Sequence, residues 1–174
     1  MKRILVAGIG NIFLGDDAFG VEVVREFEGR TLPGEVQVKD FGIRGYDLAF
    51  ELAGGASGNG YEAVILVDAT PRGESPGTVY LIEPDLADLG RPDQASADGH
   101  DMGPVRVLQM AEALGGQPAR LFFVGCEPGE LESPDGRIGL SDVVRAAVPK
   151  AVEMIESLVK ELMQQKLVKT GVPV

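Results

Sequence analysis

The chain has 174 residues, a formal net charge of −11 and a pI near 4.5. That length suits one domain with a proper core, and 44% hydrophobic with 25% charged residues is the composition of an ordinary globular protein. The acidic balance argues against nucleic acid or an anionic membrane as partner, and the lone Cys126 excludes an internal disulfide and points to a reducing compartment.

Ile4-Leu5-Val6-Ala7 is a short unbroken apolar run, which predicts a central strand buried on both faces. The chain enters this strand without a separate signal peptide, and no apolar run reaches roughly eighteen residues. A cytoplasmic protein is therefore expected. Gly8 to Asn11 break the strand, the glycines permitting tight turning and close backbone approach. After Gly15 the period changes: Val21, Val24 and Phe27 recur at helical spacing, with Glu22, Arg25, Glu26 and Glu28 on other faces. Asp16 and Asp17 thus stand where a strand hands over to a helix, and ligands of open parallel sheets bind beyond the strand C-termini.

This is not a nucleotide loop. The third glycine of GxGxxG would fall on Phe13, and no Gly-Lys-Ser/Thr follows Gly15. Two carboxylates at a helix N-terminus repel a pyrophosphate and hold a cation. The plainer reading makes Asp16 an N-cap and Asp17 a first-turn acid.

Pro33-Gly34 turns the chain into the strand Val36 to Asp40, followed by a loop, Phe41 to Gly45, and a short helix, Tyr46 to Ala53. Gly54 to Gly60 is a surface connection too short to link domains. Ala63 to Asp68 is the second wholly apolar strand, again ended by an aspartate. Thr78 to Glu83 is a further strand, and Ala69 to Gly77 is too short for a parallel crossover, which predicts an antiparallel strand. Pro84 to Gly99 is a long polar loop of the kind that is functional or mobile, leading into His100. Pro104 starts a helix with Val105, Leu108 and Ala111 on its inner face, closed by Gly115-Gly116. Leu121 to Val124 is the last strand, and Ser141 caps a long C-terminal helix expected to bend at Pro149.

The order β-α-β-α-β-β-α-β-α predicts a single α/β domain over residues 1–174. It is a three-layer sandwich with a five-stranded, mostly parallel twisted sheet, one antiparallel strand and helices on both faces. Right-handed crossovers make the first and third strands neighbours, with Asp17 and Asp68 beyond their C-terminal ends.

Three kinds of chemistry suit these residues. Asp17, Asp68 and the single histidine, His100, form a set fit for nickel, zinc or manganese with open coordination positions; the plain alternative for His100 is a solvated loop residue. A carboxylate pair sharing a proton would be Asp17 with Asp68 or Asp40, because the consecutive Asp16 and Asp17 do not face each other on a helix. Cys126 with His100 as base is a third arrangement, against which stands its position at the end of an apolar strand. Asp40, ending the second strand, also occupies the place of a ribose-binding acid in nucleotide-binding oxidoreductases.

GIGNIFLGDDAFG, Asp40 in DFGIRG, ILVDATPRGESPGTVYLIEP, GHDMGPVRVL and FFVGCEP with GRIGLSDVVRAAV resemble, in that order, the nickel-iron hydrogenase maturation proteases. The resemblance runs from about Lys2 to the C-terminal helix. It implies an endopeptidase, of aspartic or metal-dependent type, that removes the C-terminal extension of the hydrogenase large-subunit precursor after nickel insertion. The metal position falls on Asp17, Asp68 and His100, with nickel carried by the substrate and other divalent metals able to substitute. Asp17, Asp40 and Asp68 are the implied catalytic carboxylates, and Asp40, Gly42 and Arg44 the implied substrate-binding residues. The implied partner is the nickel-loaded precursor, bound transiently by a monomer. Two departures stand out: Asp40-Phe41-Gly42-Ile43 replaces the family's frequent Asp-Gly-Gly-Thr, and Ala18 replaces a frequent glycine. The nickel is either a recognition element that also polarises the carbonyl or water, or it docks the substrate while an aspartate such as Asp40 acts as general base. A non-catalytic nickel-binding maturation factor would use the same three ligands.

Overall fold

Four apolar residues in a row can be buried only if both faces of their strand are covered, and the computed structural model of the protein covers both. It describes residues 3–54, 60–86, 104–116, 118–129, 131 and 138–169. Strand β1 (Arg3–Ile9) leads through a 3-10 turn (Gly15–Ala18) into α1 (Phe19–Arg25). Then follow β2 (Glu35–Gly42), α2 (Gly45–Leu52), β3 (Ala63–Ala69), β4 (Val79–Ile82) and α3 (Pro104–Ala113). The chain continues with β5 (Arg120–Cys126), α4 (Asp142–Arg145) and α5 (Val148–Lys169).

The sheet order is β2-β1-β3-β5-β4. β1 pairs in parallel with β2 and β3, β3 in parallel with β5, and β4 runs antiparallel to β5, as the short connection before it requires. Successive residues of β1 and β3 serve opposite layers. Leu5, Ala7, Val64 and Leu66 pack with Leu48 and Leu52 of α2 and Val107 and Leu108 of α3. Ile4, Val6, Ile65 and Val67 pack with Phe19 and Val23 of α1 and Ile155 and Val159 of α5. Each such buried aliphatic or aromatic side chain is worth about 1.5–3 kcal/mol, so the central strand pair is where the fold is held. The expected three-layer sandwich is the observed one.

The C-terminal helix differs from expectation. Ser141 does cap a helix, its hydroxyl accepting from the Val144 N–H at 3.5 Å, but that helix ends at Arg145. A turn at Ala146-Ala147 separates it from α5, in which Pro149 is the second residue. A proline lacks only an N–H that the first helical turn leaves unpaired anyway, so Pro149 starts a helix here and bends none. No helix among the described residues is long and apolar enough to cross a membrane. The middle of the Gly54–Gly60 connection, most of the Pro84–Gly99 loop and His100 lie outside the described residues.

Candidate active site

The strand order fixes where a ligand would sit. α1 leaves β1 over one face of the sheet and α2 leaves β2 over the other, so the connections diverge between β1 and β3, opening a crevice beyond their C-terminal ends. Gly8 of β1 pairs with Val67 of β3 and also with Asp40 of β2. The loop after β1, the acid ending β3 and the acid near the end of β2 therefore meet at one end of the sheet.

Two glycines set the loop after β1. A Cβ on Gly20 would overlap the carbonyl oxygens of Val67 and Ile9, so only glycine lets α1 begin directly on the ends of β1 and β3. A Cβ on Gly10 would overlap the carbonyl of Asp17, and its φ of +138° is one that other residues rarely adopt. Asp17, half-buried in the 3-10 turn, is held from the other side: its Oδ2 accepts the Asn11 N–H at 2.6 Å. This polarises and orients the carboxylate at the crevice.

Asp68 is half-buried and lies in register with Gly125 of β5. Its charge is felt by the Tyr80 hydroxyl, whose pKa is raised by burial first and then by Glu127 and Asp68, against the opposing Thr70 hydrogen bond and Arg72 charge. Asp40 is exposed, and its carboxylate has no ion-pair partner among the described residues. The loop that follows is stitched to the first one: the Gly10 N–H donates to the Gly42 carbonyl at 3.1 Å. Gly42 has φ +51°, and its Cβ position lies 3.6 Å from Asp40 Oδ1 and 3.7 Å from the Gly10 oxygen. Arg44 closes the turn, donating from Nε to the Phe41 carbonyl at 3.1 Å and from Nη2 to the Asp40 carbonyl. An open cleft of about 370 Å³ runs along this loop, lined by Lys39, Asp40, Phe41, Arg44, Asp47, Phe50 and Glu51.

The structure thus brings Asp17, Asp40, Gly42, Arg44 and Asp68 to one end of the sheet; His100 lies outside the described residues. Among the described residues no group of three or more His, Cys, Asp or Glu side chains is arranged to hold a metal ion. Asp17 and Asp68 supply carboxylate oxygens alone, so a borderline metal would require a further donor, and a loop imidazole is the chemically suited one.

Asp16 is neither a cap nor a ligand. It is 1% exposed and accepts three hydrogen bonds: from the Gly129 N–H at 2.8 Å, the Ser141 N–H at 2.6 Å and the Ser141 hydroxyl at 2.9 Å. It lies inside the 3-10 turn as its second residue, and the cap position of that turn, Leu14, carries no side-chain cap bond. Asp16 fastens the 3-10 turn to the start of α4, and so fixes the backbone on which Asp17 is mounted. Sequence reasoning missed this because Ser141 lies 125 residues away; Ser141 was legible as a cap, its second partner was not. Cys126 is fully buried, and burial, followed by the charges of Asp16 and Glu127, pushes its thiol up to about 11. It has no part in nucleophilic chemistry at neutral pH.

A family model described as hydrogenase maturation protease matches residues 21–158. Among curated proteins, the hydrogenase 2 maturation protease of Escherichia coli is 32% identical over 161 residues, covering 91% of this chain and 92% of that protein. The hydrogenase expression/formation protein HupD of Rhizobium leguminosarum bv. viciae is 35% identical over 155 residues, covering 87% and 71%. Among solved structures, the hydrogenase-maturating endopeptidase HybD from E. coli superimposes with a TM-score of 0.74 at 31% identity, covering 92% of this chain and 93% of that one.

Proposed function

Because this chain belongs to the hydrogenase maturation protease family, whose members are peptidases, we propose that it removes the C-terminal extension of a nickel-iron hydrogenase large-subunit precursor after nickel insertion. The observation that carries this reading is the joining of the Asp17-bearing loop after β1 to the Asp40-bearing end of β2, through the Gly10 to Gly42 hydrogen bond, at the sheet end where β3 brings the third acid. In it, the precursor's nickel docks on Asp17, Asp68 and His100 and carries the scissile bond to the crevice. Nickel is then part of the substrate, and other divalent ions of similar preference substitute for it. Asn11 holds Asp17 by one oxygen, a common way to orient a carboxylate ligand.

Peptide hydrolysis forms a bond from water oxygen to the carbonyl carbon and breaks the C–N bond, the water proton passing to the leaving amine. Asp40 is the group suited to receive and return that proton: it is exposed at the cleft, and its carboxylate has no ion-pair partner among the described residues. Gly42 keeps the space beside Asp40 open, and Arg44 fixes the turn that aims it. The protein acts as a cytoplasmic monomer.

Incubation with nickel-loaded and nickel-free precursor, read by intact mass, tests this. Truncation of the nickel-loaded form alone is expected. Truncation of both forms would remove the nickel step, and precursor that binds but stays uncut would make the protein a nickel-binding maturation factor.

A further inference from the structure

An edge strand exposes a row of unpaired N–H and C=O groups, and proteins ordinarily protect it with prolines, free charges, bulges or shortness. β2 is an edge strand of eight residues, and its sole partner among the described residues is β1. Over Val36 to Lys39 it carries neither proline, unpaired charge nor bulge among the described residues. Pro33 precedes it and no proline lies within it. Its one lysine, Lys39, is drawn aside to Glu51 at 2.8 Å, and its register shift falls at the site end, between the pairs Gly8–Asp40 and Ile9–Gly42. The opposite edge of the sheet, β4, is only four residues long.

The open edge also leads into the site. Near its end, Lys39, Asp40 and Phe41 line the cleft of about 370 Å³. Beside it, α2 carries Tyr46 and Phe50, 67% and 59% exposed, four residues apart and so on one face of the helix. Phe50 lines the cleft with Lys39 and Asp40. We propose that the free edge of β2 takes the C-terminal segment of the precursor as an added strand, carrying the scissile bond to Asp40, with Tyr46 and Phe50 receiving alternate side chains; this rests on the peptidase reading above. Strand addition recognises backbone through main-chain hydrogen bonds and side chains at every second position. The occupant is an extended peptide because the surface offered is a ladder continuous with the acid that would cut it. A second copy of this chain is the competing occupant.

The N–H groups of adjacent strand residues point to opposite sides, so of Val36→Pro and Gln37→Pro one removes an outward N–H and the other a bond to β1. The variant that keeps the wild-type melting temperature is the edge variant. It is expected to raise KM for the nickel-loaded precursor about tenfold with kcat retained, the cost of one or two main-chain bonds. Hydrogen exchange supplies a second reading that requires neither variant to fold: precursor binding is expected to slow alternate amides of Val36 to Asp40 in the wild type. An unchanged KM in a folded edge variant, or unchanged exchange of these amides in a bound complex, would overturn the proposal while leaving the peptidase reading intact. Protection that rises with protein concentration without precursor would also overturn it, in favour of the second copy. Absence of any truncation would count against the peptidase reading alone, and the exchange of the β2 amides would still decide for or against the edge.

Discussion

Asp16 and Asp17 are neighbours in the chain, yet the 3-10 turn sends one carboxylate into the protein and the other to the crevice. Removing Asp16 would strand three donors, two of them backbone N–H groups. An uncompensated loss of this kind costs about 3 kcal/mol or more. Asp16→Ala is therefore expected to lose that much in urea unfolding, whereas Asp17→Asn, half-buried at the surface of the crevice, should leave metal-free stability at the wild-type level or slightly above it and yet lose processing. Equal stability of the two variants would mean that Asp16 anchors nothing. A different outcome is expected at Cys126. With its thiol pushed up to about 11, only roughly one molecule in ten thousand carries a thiolate at pH 7. Cys126→Ser should fold, lose about 1–2 kcal/mol for a buried hydroxyl, and process precursor at the wild-type rate. A folded variant that failed to cut would restore the thiol mechanism. Asp40→Asn should do the reverse, lowering the single-turnover rate with little change in melting temperature, because its carboxylate is exposed and has no ion-pair partner among the described residues.

At the scale of elements, the strands were legible because burial on both faces leaves an unmistakable trace: Ile4 to Ala7 and Ala63 to Val67 have no polar residue to misplace. The positions of Asp17 and Asp68 followed from strand order, since a parallel sheet opens where its connections diverge. The break between α4 and α5 was not legible, because a cap at Ser141 and an inward stripe of Val144, Val148 and Ile155 fit one helix as well as two. Pro149 is equally compatible with a kink and with a first turn, and only packing decides. The link between β2 and α2 is likewise tertiary. Burial would raise the pKa of Glu51, but hydrogen bonds from Lys39 and Tyr61, with the charges of Lys39 and Arg3, more than offset it and hold the carboxyl below its ordinary value of 4.5. A lowered folded-state pKa means that the stabilisation is complete above the unfolded value and is lost as pH falls through the folded one. Glu51→Gln should thus destabilise the protein at pH 7, and the difference from wild type should shrink once pH drops below about 4. A difference independent of pH would show that the carboxylate charge contributes nothing there.

For the molecule as a whole, a formal net charge of −11 leaves it self-repelling, and a crevice that gathers Asp17 and Asp68 at one sheet end adds to that repulsion locally. The proposed nickel site turns this into a linkage between metal and stability. An ion bound only by the folded chain stabilises it by about 2.7 kcal/mol at a hundredfold excess over its dissociation constant. Untagged wild type should therefore melt higher in nickel and return to its starting value with chelator. Asp17→Asn and Asp68→Asn should lose most of that rise. Without metal they should melt as high as wild type or slightly higher, since carboxylates gathered at one sheet end repel, by on the order of 1 kcal/mol for a pair about 4 Å apart in water. His100→Ala should lose the metal-dependent rise without the metal-free gain, because a neutral imidazole takes no part in the repulsion. The two measurements separate the ligands by charge type, which a general effect of nickel on an acidic protein would not do. A wild-type rise retained by all three variants would remove the ion from this crevice, and with it the docking step assigned to the precursor's nickel.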